Sequence, residues 1–232
     1  MPRLALLVLA FVLPLLAKAP LQETQIITGE HTDLAPGGTV RVIGSMGQLD
    51  VEGWDQPQVE ITLGRSTFRP GTPKGFEDAK QFLNHIQVKV ERNSAGEVLI
   101  STLFPKRNLI TRPLRGKTDV SLQYVIKVPR AAHLVIHHDS GDIRLQGLTG
   151  PIEAGTHAGD IEMRLPEASP YTIDARCKVG GVYSDFTGDH RVRYVVGERY
   201  GHDAASSAPH AVLRVGVGGI QILKTPAVAA AP

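Results

Sequence analysis

The chain has 232 residues, 42% of them hydrophobic, with 25 Lys and Arg against 23 Asp and Glu. This near balance of charge argues against a nucleic-acid partner, because binding to a polyphosphate needs a basic footprint. A single cysteine, Cys177, excludes an internal disulfide, so the fold must rest on its core and its backbone hydrogen bonds. We interpret Cys177 as a small buried hydrophobic residue.

The first residues have the pattern of a secretory signal peptide. Arg3 precedes an apolar run over 4–16, and Ala17-Lys18-Ala19 places small residues where a signal peptidase cuts. The apolar run is shorter than the roughly 20 residues that a membrane-spanning helix needs. We therefore predict a signal peptide at 1–19 and no transmembrane segment after its removal. Loss of Arg3 and Lys18 lowers the basic count from 25 to 23, which equals the acidic count.

The rest of the chain is predicted to form one domain over 20–224, followed by a disordered tail at 225–232. Alternating apolar and polar residues separated by Gly, Pro and Asp predict β-strands along most of it. An insertion over about 70–117 breaks this pattern. Within it, Phe76, Ala79, Phe82, Leu83 and Ile86 recur at helical spacing after Pro73, which predicts one amphipathic helix near 74–86 that covers an edge or end of the sheet. A hairpin over 86–91 and 97–103 and a basic loop over 105–117 should follow.

A recurrent glycine turn is the most informative feature of the chain. Each turn is followed by an apolar residue, usually with a second apolar residue two places on, and the spacing is near 20 residues or a multiple of it. The turn residues are Gly47, Gly141, Asp142, Gly159, Asp160, Gly180, Gly181, Gly218 and Gly219. Aligned on the glycines, one apolar column results: Leu49, Ile143, Ile161, Val182 and Ile220. Such repetition predicts an all-β fold, a parallel and right-handed β-helix or solenoid, with successive coils stacked in chain order and the column inside.

Polar residues at the same turns fit two interpretations, a chemical site and a structural role. Asp139, His157 and Lys178 fall in one column of the alignment, which fits a metal or acid–base site built from stacked turns. They also fit surface turn residues, whose aspartates cap their own turns through side-chain hydrogen bonds. A zinc site needs three or four suitable ligands, and lysine is not a normal one. We favour the structural interpretation and predict no catalytic residues, no metal and no cofactor.

The turns His138-Asp139-Ser140-Gly141-Asp142-Ile143 and Ala158-Gly159-Asp160-Ile161, together with the strand 124–129 before them, resemble the bacterial putative-adhesin domain family of envelope proteins, a domain of unknown function. The closing segment 213–222 is similar to the family's terminal repeat. The resemblance covers about 38–224 and is densest from 120 onward. It implies a parallel, right-handed β-helix in an extracytoplasmic setting, and it implies no catalytic residues. The sequence departs from the pattern at Gly181 and Gly219, where the aspartate is missing.

These features favour an exported, non-enzymatic β-solenoid scaffold that presents a binding surface at the bacterial cell envelope, in the periplasm, at the cell surface or secreted. Its partner is expected to be an envelope protein, a polysaccharide or another copy of the chain. The flat strand faces and the 105–117 loop are the expected contact surfaces. Two alternatives stay open: an envelope-stress sensor that acts through a partner, and a carbohydrate-active enzyme. The enzyme would need a cleft that brings together some of Asp139, Asp142, His157, Asp160 and Lys178.

Overall fold

A computed structural model describes residues 19–104, 120–168, 171–193, 196–205 and 207–225. The strands of the first half are β1 (Leu21–Asp33), β2 (Thr39–Met46), β3 (Gln48–Trp54), β4 (Gln58–Pro70), β5 (Gln87–Arg92), β6 (Val98–Leu103), β7 (Val120–Pro129) and β8 (His133–Ser140). Those of the second half are β9 (Ile143–Gln146), β10 (Ile152–Ala158), β11 (Ile161–Pro166), β12 (Thr172–Val179), β13 (Val182–Ser184), β14 (Asp189–Arg193), β15 (Gly197–His202), β16 (His210–Val217) and β17 (Ile220–Thr225). One helix, α1 (Pro73–Asn84), occurs in the described part of the chain.

Within those residues the strands form two sheets. The eight-stranded sheet has the order β1-β4-β7-β3-β9-β11-β17-β13, and the nine-stranded sheet has the order β14-β15-β12-β16-β10-β8-β2-β6-β5. Parallel strands make up the centre of each sheet, and antiparallel strands flank that centre: β1 and β4 on one sheet, β5, β15 and β14 on the other. The prediction of an all-β fold with one inserted helix is therefore confirmed, although both sheets are mixed rather than purely parallel.

Each glycine turn joins a strand of one sheet to a strand of the other. The joined pairs, called coils below, are β2/β3, β8/β9, β10/β11, β12/β13 and β16/β17. Alternate side chains of these strands point between the sheets, where one hydrophobic core contains the buried aliphatic residues of both. The glycine turns therefore lie along one corner of the molecule, and the outward-facing residues of each sheet form a broad surface.

The coils do not stack in chain order. Ile220 pairs with Ile161 on one side and with Val182 on the other, so the last coil, β16/β17, lies between β10/β11 and β12/β13. The prediction of consecutive stacking is wrong at this point. The cause lies in β12/β13, because the outer side of β12 is occupied by antiparallel β15 and Val182 N–H donates to the Glu198 carboxylate at 2.8 Å. No further coil can therefore be added on the outer side of β12/β13, and the last coil, β16/β17, lies on its inner side instead.

Helix α1 packs against β4 and β1, the outer two strands of the eight-stranded sheet. Thr72 caps its N-terminus by accepting the Gly75 N–H at 3.0 Å. Ala79, Leu83 and the following Ile86 are buried as predicted, but Phe76 is 53% exposed. Gly75, rather than Phe76, faces the sheet. Glycine is needed at this position because a side chain there would overlap the Pro70 carbonyl.

The hairpin prediction is also confirmed, since β5 and β6 pair antiparallel around the turn at 93–97. Three predicted segments lie wholly or almost wholly outside the described residues: the signal peptide at 1–19 apart from Ala19, the basic loop at 105–117, and the tail at 225–232 apart from Thr225. Among the helices that the structure describes, none is long and apolar enough to cross a membrane.

Candidate interaction surface

The glycine corner is a stacked backbone ladder. In spatial order its members are Gly47, Gly141, Gly159, Gly218 and Gly180. Their φ angles run from 100° to 140°, a region that L-residues with side chains rarely adopt. The Gly159 N–H donates to the Val217 carbonyl at 2.9 Å, and the Gly141 N–H donates to the Ala158 carbonyl at 2.8 Å. A β-carbon on Gly159 would overlap the Gly141 carbonyl oxygen. The stacking therefore requires glycine for two separate reasons, backbone angle and space.

The turn aspartates bind the backbone of the adjacent coil. Asp142 Oδ1 accepts the Asp160 N–H at 3.0 Å, and Asp160 Oδ1 accepts the Gly219 N–H at 2.6 Å. Gly219 and Gly181 occupy the equivalent positions in the last two coils, where no carboxylate follows the ladder glycine. Glu198, from a different strand, supplies a carboxylate at that end of the ladder.

The apolar column lies directly inside the ladder. Leu49, Ile143, Ile161 and Ile220 are all at most 1% exposed, and Val182 is 6% exposed. Adjacent members pair in register across the parallel strands. Burial of each such side chain contributes roughly 1.5–3 kcal/mol to stability. The apolar column and the backbone hydrogen bonds of the ladder therefore both stabilise this corner of the fold.

The polar residues considered for an enzymatic site do not converge. Thr156 pairs with His138 on one side and with Val215 on the other, which puts His157 beside Asp139 and places Gly216, not Lys178, as its other neighbour. Strand β16 thus separates Lys178 from His157. Within the described residues no group of three His, Cys, Asp or Glu side chains is arranged to hold a metal. A shallow depression of ≈100 Å³ beside the ladder touches Asp142 and Asp160, whose Oδ1 atoms already accept backbone N–H groups.

A buried serine–histidine pair lies under the same corner. Ser45 and His138 contact through Oγ and Nδ1 at 2.6 Å, and His138 Nε2 donates to the Gly47 carbonyl at 2.9 Å. The Gly47 carbonyl can only accept, so Nε2 carries a proton. Because burial disfavours the charged imidazolium, the ring is neutral and Nδ1 accepts from the serine hydroxyl. Burial lowers the pKa of His138, although hydrogen bonds and nearby aspartates oppose this. Ser45 is 0% and His138 1% exposed, so no substrate reaches the pair and its role is to position the Gly47 turn.

The outward face of the nine-stranded sheet carries a cluster of arginines around one aspartate. The Asp174 carboxylate accepts from Arg176 Nε at 3.1 Å and Nη2 at 2.9 Å, from Arg199 Nε at 3.2 Å and from Arg214 Nη2 at 2.7 Å. Burial alone would raise the pKa of Asp174, but the hydrogen bonds and charges of Arg176 and Arg214 lower it below its ordinary value. Asp174 is therefore a carboxylate at neutral pH, and it fixes three guanidinium groups at once.

On the outward face of the eight-stranded sheet, three basic side chains each pair with one acidic side chain. Arg144 pairs with Asp50 at 3.5 Å, Arg164 with Glu162 at 2.6 Å and Lys127 with Glu60 at 3.0 Å. Arg144 and Glu162 are register neighbours, although each has its ion pair with another residue. Among the described residues, the arginines that share one carboxylate thus lie on the nine-stranded sheet.

Comparison with known proteins identifies the fold. No protein-family model matches the chain, and no curated protein matches it in sequence. A putative cell adhesion protein from Clostridium sporogenes is structurally similar, with a TM-score of 0.51 and 14% identity over 86% of this chain and 100% of that one. The two proteins share a fold. Putative adhesins from Bacteroides fragilis (TM-score 0.28, 11% identity, 85% and 97% coverage) and Parabacteroides distasonis (TM-score 0.21, 10% identity, 85% and 97% coverage) align too loosely to add to this.

Sequence reasoning missed the arginine cluster. A partial signal existed, because Arg176 and Arg214 alternate with buried residues in strongly patterned strands and must therefore face outward. What the sequence lacked was the register that makes Arg199 and Arg214 the two neighbours of Arg176. That register depends on the insertion of the last coil, which the repeat pattern does not encode.

Proposed function

We propose that the protein is an exported, non-enzymatic β-solenoid that presents a binding surface at the bacterial cell envelope. The observation that carries this proposal is the outward face of the nine-stranded sheet, a broad face of parallel strands with an organised charge cluster. A rigid sheet of this kind is suited to engaging an extended partner over a wide area. Candidate partners are a polysaccharide, an envelope protein or another copy of the chain.

The solenoid description rests on the repeated coils. Five coils of one strand, a glycine turn and a second strand stack with parallel register in both sheets. We expect the coils to be right-handed, because crossovers between parallel strands have that hand in almost all folds. A binding role is supported by the fold shared with a putative cell adhesion protein from Clostridium sporogenes and by the resemblance of the turns to the putative-adhesin family.

A non-enzymatic role is favoured by what the turn residues do. The carboxylates of Asp142 and Asp160 accept backbone N–H groups of the next coil, a structural task that a general acid or base does not share. Strand β16 keeps Lys178 away from His157. A carbohydrate-active enzyme remains the alternative that the experiment below must also address.

Export is proposed from the signal-peptide pattern at 1–19. Expression of the full chain in a bacterium, followed by separation of cytoplasm, periplasm and medium, tests it. We expect a shortened chain outside the cytoplasm, and retention of the full-length chain in the cytoplasm would contradict the proposal.

Binding is tested by co-sedimentation of the purified chain 20–232 with isolated bacterial cell envelopes. We expect saturable binding that weakens when Arg176 and Arg199 are both changed to Gln, whereas the matched change Arg164→Gln on the opposite face has little effect. An absence of binding to every envelope fraction would refute the proposal. Turnover of a polysaccharide panel that is abolished by Lys178→Ala or Asp160→Ala would establish the enzymatic alternative instead.

A further inference from the structure

Four arginines lie in one row across four adjacent strands of the nine-stranded sheet. Arg191 of β14 pairs with Arg199 of β15, Arg199 with Arg176 of β12, and Arg176 with Arg214 of β16. Neighbouring strands are about 4.8 Å apart, so the row extends roughly 14 Å perpendicular to the strands. We refer to these four residues as the arginine row.

The row is strained electrostatically in the free protein. Like charges directly opposite each other on neighbouring strands destabilise a sheet, and here three such pairs follow one another. Asp174 neutralises one of the three guanidinium charges that it contacts, while Asp189 lies 3.8 Å from Arg191 and is largely exposed. A surplus of positive charge therefore remains along the row, and an anionic ligand would relieve the repulsion.

The guanidinium groups are held in place yet accessible. The side chains of Arg176, Arg199 and Arg214 are 39–46% exposed, while their shared contacts to Asp174 restrict their rotamers. Arg214 is fixed further, because its Nη1 donates to the Asp174 and Leu213 carbonyls. Such preorganisation lowers the entropy that a ligand must remove on binding.

Glycines keep the surface beside the row low. Gly155 continues the row next to Arg214, and Gly201 lies beside Asp174 on β15 with open space where a side chain would be. Because no side chain projects at these two positions, neither blocks the approach of an extended chain to the row.

We propose that the arginine row binds a linear acidic polysaccharide, whose carboxylates face successive guanidinium groups as the sugar chain runs across the strands. This rests on the proposed binding function and names its ligand class. Asp174 already occupies the point on which three of the guanidinium groups converge, so a ligand that extends along the row reaches more of the four arginines than a compact anion does. Arginine is suited to the task, since its planar fork binds carboxylates in a bidentate manner. Nucleic acid is the competing class of linear polyanion, and the affinity for an oligothymidylate of similar charge distinguishes it from the polysaccharide.

The experiment measures affinity for linear oligogalacturonate long enough to span the row, by titration calorimetry on the chain 20–232. The same oligomer with its carboxylates methyl-esterified is the control ligand, since it keeps the sugar backbone and removes the charge. We expect the esterified oligomer to bind at least about tenfold more weakly, and an increase of NaCl from 50 to 200 mM to weaken acid-form binding by about tenfold.

Variants locate the site. Arg176→Gln combined with Arg199→Gln should weaken binding by about tenfold or more, and Arg191→Gln at the exposed edge by about threefold. Arg214 is left intact, so that Asp174 keeps a partner and the fold is preserved, which thermal melting checks. Arg164→Gln is the matched control, because it removes an exposed ion-paired arginine from the opposite face and should change affinity less than twofold.

Three results would overturn the ligand assignment. They are equal binding of the esterified oligomer, equal losses for Arg164→Gln and the arginine-row variants, and tighter binding of an oligothymidylate of similar charge than of the oligouronate. If the row variants still reduce envelope co-sedimentation in any of these cases, the binding function stands and only the ligand class fails. If they reduce neither, both proposals fail together.

Discussion

The glycine ladder makes a quantitative prediction for Gly159→Ala. Gly159 has a φ of 130°, a conformation essentially restricted to glycine, and an alanine held there costs about 1–3 kcal/mol. The β-carbon of the alanine would also overlap the Gly141 carbonyl oxygen, and that oxygen cannot move away unless the neighbouring coil moves with it. Disruption of the two flanking ladder bonds, at 2.9 and 2.8 Å, adds roughly 0.5–1.5 kcal/mol each. We expect the free energy of unfolding to fall by about 2–6 kcal/mol, a large part of a typical domain's 5–15 kcal/mol.

Two further glycines separate the causes. Gly96 has a φ of 79° with open space around it, so Gly96→Ala should show only the backbone cost of about 1–2 kcal/mol. Gly201 has neither a positive φ nor a close neighbour, and Gly201→Ala should change stability by less than about 0.5 kcal/mol. Urea denaturation of the three variants, monitored by circular dichroism, gives the comparison. If Gly159→Ala loses no more stability than Gly96→Ala, the close stacking of the coils is not what holds this corner together.

Three other perturbations test separate parts of the fold. Burial lowers the pKa of His138 below the 6.5 of the unfolded chain, so the unfolded state takes up the proton first as pH falls. Urea titrations should therefore show a loss of stability below about pH 6.5. The variant His138→Gln should lack this contribution to the pH dependence of stability and should be less stable than the parent chain at pH 7.5. Arg65→Met removes buried hydrogen bonds to the Leu83 and Ile86 carbonyls. It should lower the free energy of unfolding by about 2–4 kcal/mol and speed amide exchange in α1. Unchanged amide exchange in α1 would contradict this. Glu198→Ala leaves the Val182 N–H without its carboxylate partner and should cost about 1–2 kcal/mol by thermal melting, with a smaller loss for Glu198→Gln, which keeps an accepting oxygen.

Local patterns predicted the local structure well. The spacing of Ala79, Leu83 and Ile86 predicted α1, and the alternation on both sides of 93–97 predicted the β5/β6 hairpin. The glycine turns placed Leu49, Ile143, Ile161, Val182 and Ile220 in one column, because a turn with positive φ strongly favours glycine and so marks equivalent positions. Leu49, Ile143, Ile161 and Ile220 lie in register for that reason.

The order of the coils could not be predicted in this way. The same glycine motif at Gly180 and Gly218 fits either order of stacking, since both turns present the same backbone and the same apolar residue. The choice is made by β15, whose antiparallel pairing with β12 and whose Glu198 carboxylate close that side of the sheet. The repeat motif alone therefore does not predict the order of the coils, because β15 lies outside the repeat pattern.

The arginine row follows from that choice of order. Had β12/β13 stacked directly on β10/β11, Arg176 would lie beside Gly155, and Arg214 would occupy a different strand position. Insertion of β16 instead places Arg214 next to Arg176, while the closing strand β15 supplies Arg199 on the other side. Asp174 then contacts arginines that are up to 40 residues away in sequence. The insertion of β16 and the pairing of β15 with β12 thus end the coil stack and also assemble its charged surface. A change that produced consecutive stacking would therefore remove the proposed ligand site as well as the closing strand.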